Sequence, residues 1–170
     1  MAKPALSTIP PFYHTYVKLV ENENLFDALT DNTNETTAFL RSLPAEKWDY
    51  RYAEGKWTIK DLVQHVIDTE RIFAYRALCF ARGESASLPG FDEKAYAAAS
   101  GATERTSEAL LNEWQAVRTA TELLYQSFND SQQKQTGTAN NSAVSVEGIG
   151  FILVGHVLHH LQVLRERYLP

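Results

Sequence analysis

From Ile149 to Leu164 apolar residues surround a helix on almost every side, and such a segment has one favourable place in a water-soluble fold: the middle of other helices. Ser145 is a suitable N-cap for this helix, which is predicted over 145–168. Three segments carry the one-sided stripes able to surround it. Leu25, Ala28, Leu29, Phe39, Leu40 and Leu43 recur at helical spacing over 25–43, and Pro44 stops the run. Asn32 and Thr36 continue that inward stripe, so a polar pocket is expected to face them. Thr58 followed by Asp61 has the form of a capping box and opens a second helix over 58–82, with Gly83 as its stop. Leu110, Trp114, Val117, Thr121, Leu124 and Phe128 alternate by four and three over 107–129. Between these helices, residues 83–106 read as a crossover with a short helix near Glu93 to Ala99, and the polar stretch 130–144 reads as a loop. The expected fold is therefore all-α, with the whole chain, 1–170, as one helical domain.

The central helix carries His156, His159 and His160, in costly places for polar rings. His156 and His160 are four apart, so their side chains point within roughly 40° of each other, one turn apart. Two readings stand for such a pair: core histidines satisfied by local partners, or two ligands of one metal ion. His65 is the natural third ligand. It lies roughly 10 Å into the second helix, while His156 and His160 lie roughly 12–18 Å from Tyr168, so the rings reach similar levels if the second and fourth helices are antiparallel. That arrangement requires the second and third helices to run parallel, which is the job a long crossover at 83–106 can do. Three neutral imidazoles leave at least one position for water or substrate, the pattern of a catalytic zinc-type site. Imidazole suits zinc, nickel, iron and copper alike.

Other residues have competing readings. His159 can pair with His156 at i,i+3, or pack on the next face. His14 precedes the long helices and is not expected to bind metal. Asp68, one turn from His65, can orient an imidazole through its second nitrogen or lie as solvated surface charge. Glu70, Arg71 and Arg76 can serve a pocket or form exposed ion pairs. Tyr50, Tyr52 and Trp57 can wall a pocket or pack as core aromatics. Cys79 lies about 21 Å along the helix from His65, too far to share its ion, and reads as a small buried hydrophobe.

Composition narrows the partners. The net charge of -5, with no run of lysine or arginine, offers no counterion release on a phosphate backbone, so nucleic acid is not expected as a partner. One cysteine precludes an intrachain disulfide and suits a reducing compartment, with cytoplasm as the default. The start, Met1-Ala2-Lys3-Pro4, leads into no signal-peptide stretch, and glycines and histidines interrupt the most apolar segment, so no membrane span is expected. No G-x-S-x-G, phosphate loop or cysteine cluster is present, and Gly148-Ile149-Gly150 is better explained by close helix packing than by nucleotide binding.

The segments GKWTIKDLVQHVIDTERIFAYRAL (55–78), LPGFDEKAY (88–96) and GHVLHHLQVLRERYL (155–169) closely resemble DinB-like proteins, and the similarity runs from about Phe12 onward. The family pattern, one histidine near the start of the second helix and H-x-x-x-H on the fourth, falls on His65, His156 and His160. The resemblance implies a four-helix bundle of up-down-down-up type, often a homodimer, with one divalent ion in an open three-histidine site. It further implies a metal-dependent enzyme acting on a small molecule, by S-transfer from a low-molecular-weight thiol or by hydrolysis. The alternative from another class is a non-catalytic metal-binding stress or sensor module, or a helical dimerisation domain.

Overall fold

The computed structural model describes residues 1–169. Four long helices dominate it: α1 (Leu25–Ser42), α2 (Ile59–Ala81), α3 (Ser107–Gln126) and α4 (Val146–Val163), the last continued by a π-helical turn, Leu164–Tyr168. Helices α2 and α4 start where their predicted cap residues place them. The Thr58 hydroxyl accepts the Asp61 backbone N–H at 3.1 Å while the Asp61 carboxylate accepts the Thr58 N–H at 2.9 Å, and Ser145 accepts the Gly148 N–H at 3.1 Å. Past the end of α2, Gly83 takes a φ of +83°, a conformation that costs glycine little.

Side-chain contacts give the helix directions. Gln64 meets Arg105, Arg71 meets Glu113, and Arg82 lies over Phe128, so early residues of α2 meet the early end of α3 and late ones its late end. These two helices are parallel. Helix α4 runs the other way, since the Tyr168 hydroxyl donates to the Trp57 carbonyl at 2.9 Å while Phe73 shares a cavity wall with Ile152 and Leu153. Helix α1 is parallel to α4, with Leu25 against Gly150 at one end and Glu35 paired with Arg165 at 2.8 Å further along. It opposes α3, where Thr33 donates to Glu122 at 2.6 Å. The bundle is therefore up-down-down-up, and residues 83–106, including a short helix at Glu93–Ala99, return the chain along α2.

Helix α4 is the central element, with Ile149, Phe151, Ile152, Leu153, Val154 and Val157 all buried. By length and apolarity Val146–Tyr168 would suit a membrane, but most of it is covered by its neighbours in the bundle. Its glycines are sites of close approach. A Cβ at Gly150 would sit 2.4 Å from a Leu25 methyl, and one at Gly155 would sit 2.2 Å from the Tyr16 carbonyl oxygen. A methyl can shift, but a backbone oxygen moves only with its segment. Gly155→Ala is therefore expected to cost about 1–3 kcal/mol in urea unfolding and to push the His14–Val17 helix off α4. A loss below about 0.5 kcal/mol, the ordinary range for an unconstrained site, would contradict this packing.

Residues 130–144 differ from the expected loop. They form a short helix, Asp130–Gln133, and most of an antiparallel hairpin, β1 (Thr136–Ala139) with β2 (Ser142–Ser145). The turn residues Asn140 and Asn141 both have positive φ, 48° and 59°, as a tight two-residue hairpin turn requires. Leu88 of the crossover joins this ribbon, donating to the Thr138 carbonyl and accepting from the Asn140 N–H.

Candidate metal centre

His65 comes from α2 and His156 and His160 from α4, and antiparallel packing brings all three rings together inside the bundle. The His156 Nε2 lies 3.1 Å from the His65 Nε2 and 3.0 Å from the His160 Nε2. One nitrogen from each ring falls within 4.8 Å of the others. A tetrahedral ion with metal–nitrogen bonds of about 2.0–2.1 Å places its ligands roughly 3.3–3.4 Å apart, so this convergence matches the size of a divalent cation. The same separations also suit N–H···N hydrogen bonds between neutral imidazoles, so the geometry fits both an ion and a ring-to-ring hydrogen bond.

The electrostatics favour neutral rings, the form that binds metal. Burial holds His65 down to about 4, against an ordinary value of 6.5. His156 is lowered well below 6.5 by burial and then by the neighbouring His160 and His65; His160 is lowered by burial and then by His65 and His159. With its Nε2 turned toward the other rings, the buried His160 Nδ1 has no hydrogen-bond partner among the described residues. Thr36 Oγ1 and Trp114 Nε1 are likewise unpartnered, and both residues line the same small cavity as His160. The polar pocket expected to face both residues is not what forms: Thr36 borders a small cavity whose other walls are mostly aliphatic, Leu40, Leu62, Val63 and Val66 among them, and Asn32 is buried at a different cavity toward Leu19 and Glu35.

The lowered values make a prediction for the metal-free protein. Because the folded-state pKa of His65 lies below its unfolded value, the unfolded chain binds more protons between them. The contribution is fully present above about pH 6.5 and is lost as pH falls through about 4, reaching about 3 kcal/mol for this ring alone. Urea unfolding at pH 7 and pH 5 should show the loss, and His65→Leu should reduce the pH slope. An equal slope in both proteins would mean that His65 titrates normally.

The triad borders two cavities. His65 and His156 line a cavity of about 120 Å³ with Tyr13, Phe73 and Arg76, while His160 lines a wider cleft of about 490 Å³ with Tyr52, Trp57 and Tyr168. Glu93, at the start of the crossover helix, borders both. The Trp57 ring lies against His65, with centroids 4.9 Å apart. Tyr52 and Trp57 are therefore pocket walls, whereas Tyr50 is outside them and packs edge-on against Tyr168.

The other candidate side chains lie apart from the three converging rings. His159 packs on Tyr16 at 5.2 Å between centroids and lies outside the converging three. His14 Nε2 is 2.8 Å from the Ile9 carbonyl. Asp68 forms no hydrogen bond with the rings: it accepts from Gln64 at 2.8 Å and lies 3.9 Å from Arg71, so the orienting role weighed for it does not appear. Glu70 is buried against Arg118 at 3.1 Å, and burial pushes its carboxyl up against the opposing pull of that guanidinium. Arg71 is exposed, as expected of a surface ion pair, but Arg76 is buried.

A family model described as the DinB superfamily matches residues 28–164, most of the chain and the whole of the triad. The chain belongs to the DinB superfamily. A curated protein of Oceanobacillus iheyensis named "Putative metal-dependent hydrolase" is 32% identical over 65 residues. That alignment takes in 38% of this chain and 38% of the relative, so the chain matches well under half of that protein's length. Among solved structures, YfiT from Bacillus subtilis, titled "a probable metal-dependent hydrolase with an unusual four-helix bundle topology", superposes with a TM-score of 0.72 at 18% identity, over 83% of this chain and 84% of that one. The mycothiol-dependent maleylpyruvate isomerase superposes with a TM-score of 0.67 at 17% identity, over 86% of this chain and 62% of that one. These structural likenesses establish that this DinB-superfamily chain shares their helical fold.

Proposed function

We propose that this DinB-superfamily protein is a metal-dependent enzyme in which His65, His156 and His160 hold one divalent ion, and that it transfers a low-molecular-weight thiol to an electrophilic small molecule. The observation that carries the reading is the position of the triad between two clefts, which suits a reaction of two partners better than a closed structural site does. A divalent cation held there supplies Lewis acidity that makes a thiol or water a nucleophile near neutral pH. The protein's own contribution is to keep three rings neutral and convergent, and to limit access through the walls formed by Trp57, Tyr52 and Phe73.

Hydrolysis is the second reading. It is favoured by the names of the two hydrolase relatives and by Glu93, a carboxylate bordering both clefts that can take a proton from an attacking water. Zinc-, nickel- or iron-loaded protein incubated with a panel of thiols and electrophiles should consume both reactants together. Turnover of esters or amides without thiol would favour hydrolysis, and inertness of the loaded protein to both panels would leave a metal-binding sensor or dimerisation module.

The substrate is a small molecule rather than nucleic acid. With a net charge of -5, no binding to duplex DNA is expected at physiological salt, and a tight, salt-sensitive complex in a fluorescence anisotropy titration would overturn that expectation. The family resemblance also favours a homodimer, which sedimentation equilibrium measures directly.

A further inference from the structure

Within the cavity shared by His65 and His156 lies one buried positive charge without a counter-charge. Arg76 is only 4% exposed, yet no carboxylate of the described residues lies within salt-bridge distance of it. Its Nη2 donates to the Pro89 carbonyl at 2.8 Å, its guanidinium sits over the Phe73 ring at 5.0 Å, and the Tyr13 phenol faces it. These are neutral partners. Glu93, the acidic residue lining this cavity, does not pair with it. A guanidinium withdrawn from water normally has an anion beside it, because its charge is otherwise poorly compensated.

Arg76 also stands in register with the triad. His65, Thr69, Phe73 and Arg76 follow one another along one face of α2, and all four line the cavity. Eleven residues of helix, with both side chains leaning toward its N-terminus, put the guanidinium roughly 10–15 Å from the histidine rings. The wall between them is apolar on the other side, where Ile152 and Leu153 face Phe73.

We propose that the small-molecule substrate is an organic anion, with its carboxylate or an equivalent group held by Arg76, its apolar body along Phe73 and Ile152, and its reacting end at the triad. The assignment of the reacting end rests on the metal-dependent reading above; the anion anchor does not. Arg76 is a binding and positioning residue, because its charge lies too far from the triad to touch the reacting atoms.

Two arms of one experiment separate these claims. In the first, the full-length protein without added metal is titrated with hexanoate and with 1-hexanol, followed by the Arg76 side-chain N–H resonance. Hexanoate should shift that resonance and bind about tenfold or more tightly than hexanol, the effect of a charge-assisted hydrogen bond. Arg76→Met, which keeps length and apolar bulk, should abolish the preference without weakening hexanol, and Arg76→Lys should restore part of it. In the second arm, cobalt-loaded protein is titrated with 6-mercaptohexanoate and 6-mercaptohexanol, read from the thiolate-to-cobalt absorption. The acid should again bind about tenfold or more tightly. Equal binding of hexanoate and hexanol, or a preference that survives in Arg76→Met, would overturn the anchor. Failure of cobalt uptake with the hexanoate preference intact would overturn the metal reading alone. If Arg76 merely tied α2 to Pro89, its replacement would lower the melting temperature and leave the unmutated protein with no acid preference.

Discussion

Alanine at His65, His156 or His160 is expected to weaken binding of zinc or nickel on the order of 100-fold or more, in each case singly. If the three imidazoles hold an ion as proposed, the folding-linked binding energy of zinc sites, on the order of 10–16 kcal/mol in zinc-finger peptides, makes each ligand worth several kcal/mol. The three Nε2 atoms converge from two antiparallel helices, so each ring is a separate contributor to the set. His159→Ala and His14→Ala are the controls. The first removes a ring packed on Tyr16, the second a ring beside the Ile9 carbonyl, and neither should change metal affinity appreciably. Isothermal titration of each purified variant with zinc gives the comparison, and a loss at His159 equal to that at His160 would mean that the converging set is wrongly assigned.

Glu70→Ala is expected to cost about 3–5 kcal/mol of stability, since it strands the fully buried Arg118 guanidinium between α2 and α3. Arg118→Ala should cost at least as much, because it also removes the side chain that packs on the Trp114 ring, 4.7 Å from its centroid. For a domain of this length the loss corresponds to a fall in melting temperature of roughly 6–20 °C. The double replacement Glu70→Leu with Arg118→Met should recover most of it, since removing both charges eliminates the desolvation problem that one leaves behind. Single variants within about 1 kcal/mol of the parent, the range of a surface pair, would show that the pair is solvated rather than buried.

The long elements were legible because their signals are local. A threonine and an aspartate three apart mark the start of α2, and stripes with a period near 3.6 mark the buried faces. Helix direction was legible for a different reason: His65 and the His156–His160 pair reach one level only if α2 and α4 are antiparallel, and the crossover at 83–106 is long enough to allow α3 to run beside α2. The hairpin was obscured by its polar composition, although Asn140-Asn141 between Thr136-Gly137-Thr138 and Ala143-Val144 is a recognisable two-residue turn signal. Asp68 and Arg76 were ambiguous for want of depth. On an isolated helix each can face water or a neighbour; Asp68 accepts from Gln64 one turn earlier on the same helix, while the Pro89 segment covers Arg76. The Glu70–Arg118 pair lies further out of reach, because no local pattern connects residues 48 apart.

Diffraction from crystals grown with zinc, with data collected on both sides of the zinc absorption edge, tests the central claim most directly. A single anomalous peak is expected within about 2.0–2.1 Å of the Nε2 atoms of His65, His156 and His160, with at least one further position facing a cleft. No zinc uptake with all three histidines intact, or a peak held by other residues while these rings remain unliganded, would contradict the metal centre and the chemistry proposed for it.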